Sequence, residues 1–234
     1  MSTFVIVGAR NLGGAVADQL LSDGWSGAVI ARSDTTLDAL RARGAVALRA
    51  DAADPSSFAS GLRHARGELG RIDVLVNAVS VARFDPNVPW GGGPLAEADL
   101  ARFEAWSAAV TRQAFVLLSE AARTLEAPAA VIQVANSATR TASPGLGLGA
   151  AGWHGVRALT TAAAAELGQR GIDVTLFVVD GPIASPKTQK MVAGLPPEAV
   201  HRQQDVATAI AALAAAEARP GEVVLTPRAT AQPV

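Results

Sequence analysis

Phe4-Val5-Ile6-Val7-Gly8-Ala9-Arg10-Asn11-Leu12-Gly13-Gly14-Ala15, continued by Val16-Ala17-Asp18-Gln19-Leu20-Leu21, stands near the amino-terminal end of the chain. Four apolar residues in succession read as a strand buried on both faces, because a half-exposed strand would alternate with polar residues. The run is far too short for the hydrophobic core of a secretory signal. Gly8 ends it, Gly13 and Gly14 follow, and the next residues take helical spacing. The reading is a strand, a tight glycine turn and a helix.

That unit repeats along the chain. Further short apolar runs, Ala28-Val29-Ile30, Val46-Ala47-Leu48, Ile72-Asp73-Val74-Leu75-Val76, Val131-Ile132-Gln133-Val134, Val174 to Val179 and Val223-Val224-Leu225, are predicted strands. Amphipathic or alanine-rich stretches between them predict helices over residues 12–23, 34–43, 55–69, 96–126, 150–169 and 203–217. Such alternation predicts an α/β fold, a Rossmann-type doubly wound parallel sheet of about seven strands with helices on both faces. Two stretches break the rhythm. Arg83 to Pro94 carries Asp85-Pro86, Pro89 and Gly91-Gly92-Gly93 and reads as a loop, and Asp180 to Pro197 carries four prolines. Both leave carboxyl ends of strands, where ligands bind in open α/β sheets. Residues 181–200 are therefore expected to form a lid on the substrate side.

With 234 residues, 50% of them apolar and 18% charged, the chain has material for one core, and a single domain over 1–234 is expected. Twenty basic and 21 acidic residues leave a formal charge of −1, with no polybasic arm or acidic tail, which argues against nucleic acid or an anionic membrane as partner. No apolar stretch reaches the roughly 18 residues of a membrane span, and a cytoplasmic location is expected. There is no cysteine and no tyrosine. Disulfides, thiolate metal sites, thiol nucleophiles and phenol-based acid catalysis are thereby excluded, and no metal site is expected.

The glycine turn is built for close backbone approach to a pyrophosphate, which the unpaired N–H groups and positive dipole end of the following helix would hold. Its spacing departs from a full Gly-x-Gly-x-x-Gly because Arg10 takes the middle position. At the end of the second strand stand Ala31-Arg32-Ser33. An acidic residue there would receive the 2′-hydroxyl of an adenosine ribose, whereas arginine accommodates a 2′-phosphate. Arg32, with Arg10, therefore favours NADP(H); NAD(H), or no cofactor, remains an alternative.

These residues, with Asp51-Ala52-Ala53-Asp54, Ile72 to Ala78, Glu166-Leu167-Gly168 and Val179 to Ser185, make the chain resemble the short-chain dehydrogenase/reductase family over nearly its whole length. The resemblance implies a cofactor shell of Gly8, Arg10, Asn11, Leu12, Gly13, Arg32, Ser33, Asp51, Ala52, Asn77, Ala78, Trp153, Gly181, Ile183 and Ser185. Asp51 would contact the adenine, Asn77 would lie beneath the cofactor, and Gly181, Ile183 and Ser185 would line the nicotinamide side. The chain departs from the family at Ala78, Val79 and Ser80, and at Asp180, where the family usually has proline.

The same resemblance implies a catalytic set in which a tyrosine protonates the developing alkoxide, a lysine four residues later supports it, and a serine and an asparagine assist. The tyrosine position falls on Gly149, the lysine position on Trp153, the serine position on Asn136 beside Ser137, and the asparagine position near Val110. Asn136 or Ser137 could donate a hydrogen bond to a substrate carbonyl. His154, one of three histidines, and Asp180 at a strand end are the remaining acid or base candidates, with Lys187 in the lid.

Three readings stand. The chain is an atypical NADP(H)-dependent oxidoreductase acting on a carbonyl, imine or enone substrate, a non-redox isomerase, cyclase or dehydratase on the same fold, or a catalytically silent cofactor-binding or partner subunit. The small residues around Gly149, with Trp153, suggest a pocket for a bulky apolar small molecule. The alanine-rich faces of helices 96–126 and 150–169 suggest a homodimer or homotetramer.

Overall fold

The computed structural model describes residues 2–79, 90–186 and 188–227. The chain runs β1 (Thr3–Val7), α1 (Leu12–Ser22), β2 (Ser26–Ala31), α2 (Asp34–Arg41), β3 (Val46–Arg49), α3 (Pro55–Leu69), β4 (Val74–Asn77) and α4 (Leu100–Thr124). There follow β5 (Ala129–Asn136), α5 (Gly147–Gly168), β6 (Ile172–Val179), β7 (Ile183–Ala184), α6 (Gln189–Val192), β8 (His201–Arg202), α7 (Gln203–Ala215) and β9 (Glu222–Leu225). Seven of the strands form one sheet in the order β3-β2-β1-β4-β5-β6-β9, every pair parallel.

The unbroken apolar runs have a direct cause in this topology. In β1, Phe4 and Ile6 pack with α1, α2 and α7 on one face of the sheet, while Val5 and Val7 pack with α3 and α4 on the other. Both faces are covered, so no position calls for a polar side chain. The sheet order reverses between β1 and β4, and the crevice outside their carboxyl ends is where this class of sheet binds ligands.

The structure departs from the expected elements in three places. The expected helix 96–126 begins only at Leu100, where the Asp99 side chain accepts the Arg102 N–H at 2.8 Å, and Leu95–Glu97 forms a separate turn. Helix α5 begins at Gly147, three residues earlier than expected, because packing against α4 overrides the glycines. The proline-rich stretch after β6 is not bare loop: β7 pairs in parallel with β8, and α6 adds one turn. The expected loop 83–94 lies outside the described residues up to 89, and Trp90–Gly92 is a single tight turn. Among the described residues no helix is long and apolar enough to cross a membrane.

Candidate active site

At the switch point Gly8 has φ 86° and donates its N–H to the Ile30 carbonyl at 2.9 Å. A Cβ there would stand 2.7 Å from Val79 Cα and N, so only glycine lets the turn pass β4. A Cβ on Gly13 would meet the Gly8 carbonyl oxygen at 2.2 Å. The two glycines thus press the turn onto the start of α1, whose first intrahelical bond runs from the Ala15 N–H to the Asn11 carbonyl. The N–H groups of the turn before it have no helical partner and are suited to an anion.

Asn11 is the non-glycine residue with positive φ among the described residues, at φ 57° and ψ −116°, and its side chain makes no capping bond. That backbone conformation favours glycine. Asn11→Gly is expected to stabilise the fold by about 1 kcal/mol net of glycine's own entropy cost. Thermal unfolding checks it: a rise of about 2–4 °C is expected, and a fall would show that the asparagine side chain holds the turn.

Beyond the turn, a cavity of about 430 Å³ opens against the ends of β1, β2 and β3. That volume lies within the range of small-molecule sites. Gly8, Arg10, Arg32, Ser33, Asp51, Ala52 and Ala78 line it, as do Thr36 and Gln113. Arg32 is largely exposed and its guanidinium stands 3.7 Å from the Asp51 carboxylate. The other oxygen of Asp51 accepts the Ala53 N–H at 2.9 Å, and the Asp51 N–H donates to Ser57 Oγ at 3.0 Å, which holds the carboxylate at the rim. Arg10 is exposed, and Ser33 precedes α2 without a side-chain bond to that helix. Two guanidinium groups and two hydroxyls around one mouth make a set of donors suited to a phosphate.

Several residues expected in the cofactor shell do other work. Asn11, Leu12 and Gly13 shape the turn but do not line the cavity. Asn77 is 1% exposed: its Nδ2 donates to Gln133 Oε1 at 2.9 Å and its Oδ1 accepts the Val79 N–H at 3.2 Å, so it ties β4 to β5. Gly181, at φ 117°, packs where a Cβ would meet Pro227 at 2.9 Å. The Ser185 hydroxyl is 2.9 Å from that of Thr188, which also donates to the carbonyl of Ile183. Trp153 is only 8% exposed and belongs to a core cluster with Val110, Val156, Leu176 and Val178; its expected place in the cofactor shell is corrected accordingly.

The four positions that the family alignment marks as catalytic do converge. Val110, Asn136, Gly149 and Trp153 surround a single void, closed by Gly91, Trp106 and Leu146. Its volume is about 30 Å³, room for about two waters. The expected pocket for a bulky apolar ligand is therefore not found there among the described residues. The physical reason is the turn at Gly91 and Gly92, which settles onto the start of α5: a Cβ on Gly91 would meet Leu146 at 2.4 Å, and one on Gly149 would stand 3.3 Å from Gly91 Cα. The space that a glycine at 149 leaves is filled by backbone and indole.

Asn136 keeps its Oδ1 on the Ala138 N–H at 3.0 Å, which leaves its amide N–H groups for the void. Ser137 starts the following turn and does not line that void. His154 is exposed on α5 with Nδ1 2.9 Å from the Ala150 carbonyl of its own helix, so the structure does not bring it to the catalytic positions. Asp180 is half-buried at the end of β6, where its N–H bonds the Leu225 carbonyl and its own carbonyl lies 3.0 Å from His201 Nε2. Lys187 and Ser80 lie outside the described residues. Among the described residues no cluster of histidine and carboxylate could hold a metal.

Sequence reasoning missed Thr36, Gln113 and His201. Thr36 stands three residues after Ser33, on the same side of the first turn of α2, and helical spacing could have found it. Gln113 and the buried His201 join their surroundings only through tertiary contacts.

A family model described as short chain dehydrogenase matches residues 2–195. A dehydrogenase/reductase from Sinorhizobium meliloti superposes with a TM-score of 0.77 at 24% identity, over 96% of this chain and 93% of that one. A doubly substituted mutant of a Serratia marcescens short-chain dehydrogenase/reductase gives 0.81 at 22% identity, over 97% and 96%. The enzyme from Serratia marcescens BCRC 10948 gives 0.77 at 23%, over 97% and 96%. At these identities the likeness is one of fold. No curated protein matches the chain significantly.

Proposed function

The chain belongs to the short-chain dehydrogenase/reductase family, whose members generally bind NAD(H) or NADP(H) and act on small molecules, and from that premise we propose that it is an atypical NADP(H)-dependent oxidoreductase that supplies no protein acid of its own. The observation that carries the cofactor choice is the cavity of about 430 Å³ with Arg10, Arg32, Ser33 and Thr36 at its mouth. These residues suit a 2′-phosphate, and Asp51 and Ala52 suit the adenine beside it. The glycine turn and the amino end of α1 suit the pyrophosphate. When bound, the dinucleotide would supply hydride exchange.

What the chain's own residues contribute at the other end is restricted. None of the residues that line the small void titrates: they are glycine, leucine, valine, tryptophan and asparagine. Asn136 can donate a hydrogen bond to an acceptor atom but cannot give up a proton. An iminium carbon accepts hydride without needing a proton, and an activated alkene can take its proton from water, so imine and enone substrates suit this site better than ketones. The narrowness of the void also favours a second reading, a catalytically silent nucleotide-binding subunit.

Calorimetric titration with NADPH, NADP⁺ and NADH, followed by a turnover panel of ketones, imines and enones, tests both. NADPH is expected to bind at least about tenfold more tightly than NADH, with turnover confined to imines or enones. Absence of NADPH binding would end the first reading and the second together. Binding with no turnover on any substrate would leave the second.

A further inference from the structure

The dinucleotide site is unequal across the switch point. On the side of β1, β2 and β3 there is a cavity with unengaged donors at its rim. On the side of β4, β5 and β6, where the second mononucleotide of a dinucleotide would lie, the polar side chains are engaged with each other. Asn77 holds Gln133 and Val79, and the Ser185 hydroxyl is held by Thr188. Asn136 has its carbonyl on Ala138, and its amide lines a void of about 30 Å³. Asp180 is an anion, which opposes a ligand that already carries phosphates.

A ribose and a carboxamide placed against such a surface lose hydrogen bonds to water and gain few in return. Unpaired polar groups of this kind cost about 1–3 kcal/mol each, so the second half of the ligand adds no net affinity. Trp153 and Trp106 do not offset this by stacking, because both are buried in the core, at 8% and 4% exposure.

We propose that the chain holds NADP(H) by its phosphoadenosine diphosphate half alone, so that it binds oxidised and reduced forms equally and responds to the total pool of 2′-phosphorylated nucleotide instead of its redox state. This rests on the 2′-phosphate reading above and narrows it. The recognised chemistry is an adenosine 2′-phosphate joined to a pyrophosphate, whatever is attached beyond.

The test is calorimetric titration of the purified full chain with NADPH, NADP⁺ and 2′-phospho-ADP-ribose, which lacks the nicotinamide, together with nicotinamide mononucleotide. The first three are expected to bind within about threefold of one another, and the mononucleotide not to bind measurably. Saturation-transfer NMR on the NADP⁺ complex should show strong transfer to the adenine protons and little to the nicotinamide protons. A preference of about tenfold or more for NADPH or NADP⁺ over 2′-phospho-ADP-ribose, or equal transfer to both rings, would overturn the half-site proposal while leaving the 2′-phosphate reading intact. Failure of all three nucleotides to bind would overturn both.

Discussion

Arg32→Asp is expected to weaken NADPH binding by about tenfold to a hundredfold and to leave NADH within about twofold. The guanidinium stands at the mouth of the cavity and is 60% exposed, with its nearest anion, Asp51, 3.7 Å away. An exposed pair at that distance contributes little to stability. The guanidinium is therefore free to turn towards a phosphate, and a charge-assisted bond of this kind is stronger than a neutral one. An aspartate in its place adds repulsion towards both the phosphate and Asp51. NADH, which has no 2′-phosphate, loses nothing comparable. The same variant should melt within about 2 °C of the parent, which separates lost recognition from lost folding. An equal loss for NADPH and NADH would refute the 2′-phosphate role.

Trp153→Lys, which restores the residue type of the family at that position, is expected to destabilise the fold by more than about 3 kcal/mol, a drop of about 10 °C in Tm. The indole packs with Val110, Val156, Leu176 and Val178, and its removal opens a cavity in that cluster. The ammonium that replaces it would be buried among aliphatic groups without a carboxylate partner. Adding Gly149→Tyr should not repair the loss, since even a Cβ at 149 stands 3.3 Å from Gly91 Cα and 3.5 Å from the Trp106 ring. Neither the single nor the double variant should reduce ketones. Calorimetric unfolding and a ketone assay check this. A double variant that folds as well as the parent and reduces ketones would show that the site is vacant, not sealed.

Much of this architecture is legible in single stretches of chain. The apolar runs of β1, β4, β5 and β6 need no polar alternation because helices cover both faces, and that requirement is visible residue by residue. The two-residue strands β7 and β8 escape such a reading, as their pairing joins Ile183 to His201 across a proline-rich stretch with no periodicity of its own. The candidate site is legible in the same uneven way. Gly8, Arg10, Arg32, Ser33, Asp51 and Ala52 sit close to strand ends, so knowing the strands is enough to bring them to one cavity. His154 and Trp153 required knowledge of which face of α5 meets the core, and an alanine- and glycine-rich helix has too weak a pattern to say.

The sequence by itself determined the parallel α/β architecture, the glycine turn with arginines near it, and the absence of any tyrosine or cysteine to serve as an acid. Composition and local spacing suffice for these, because a missing residue type is missing in every conformation and a strand's burial is written into its own neighbours. Only the tertiary structure decided what became of the vacated catalytic place. Gly149 could equally have opened a pocket. The turn at Gly91 packs into it instead, and Asn77 and Ser185 are engaged by partners on other segments. Whether a small residue leaves space depends on what distant backbone moves in to fill it, and close packing of the interior favours filling wherever a neighbour can reach.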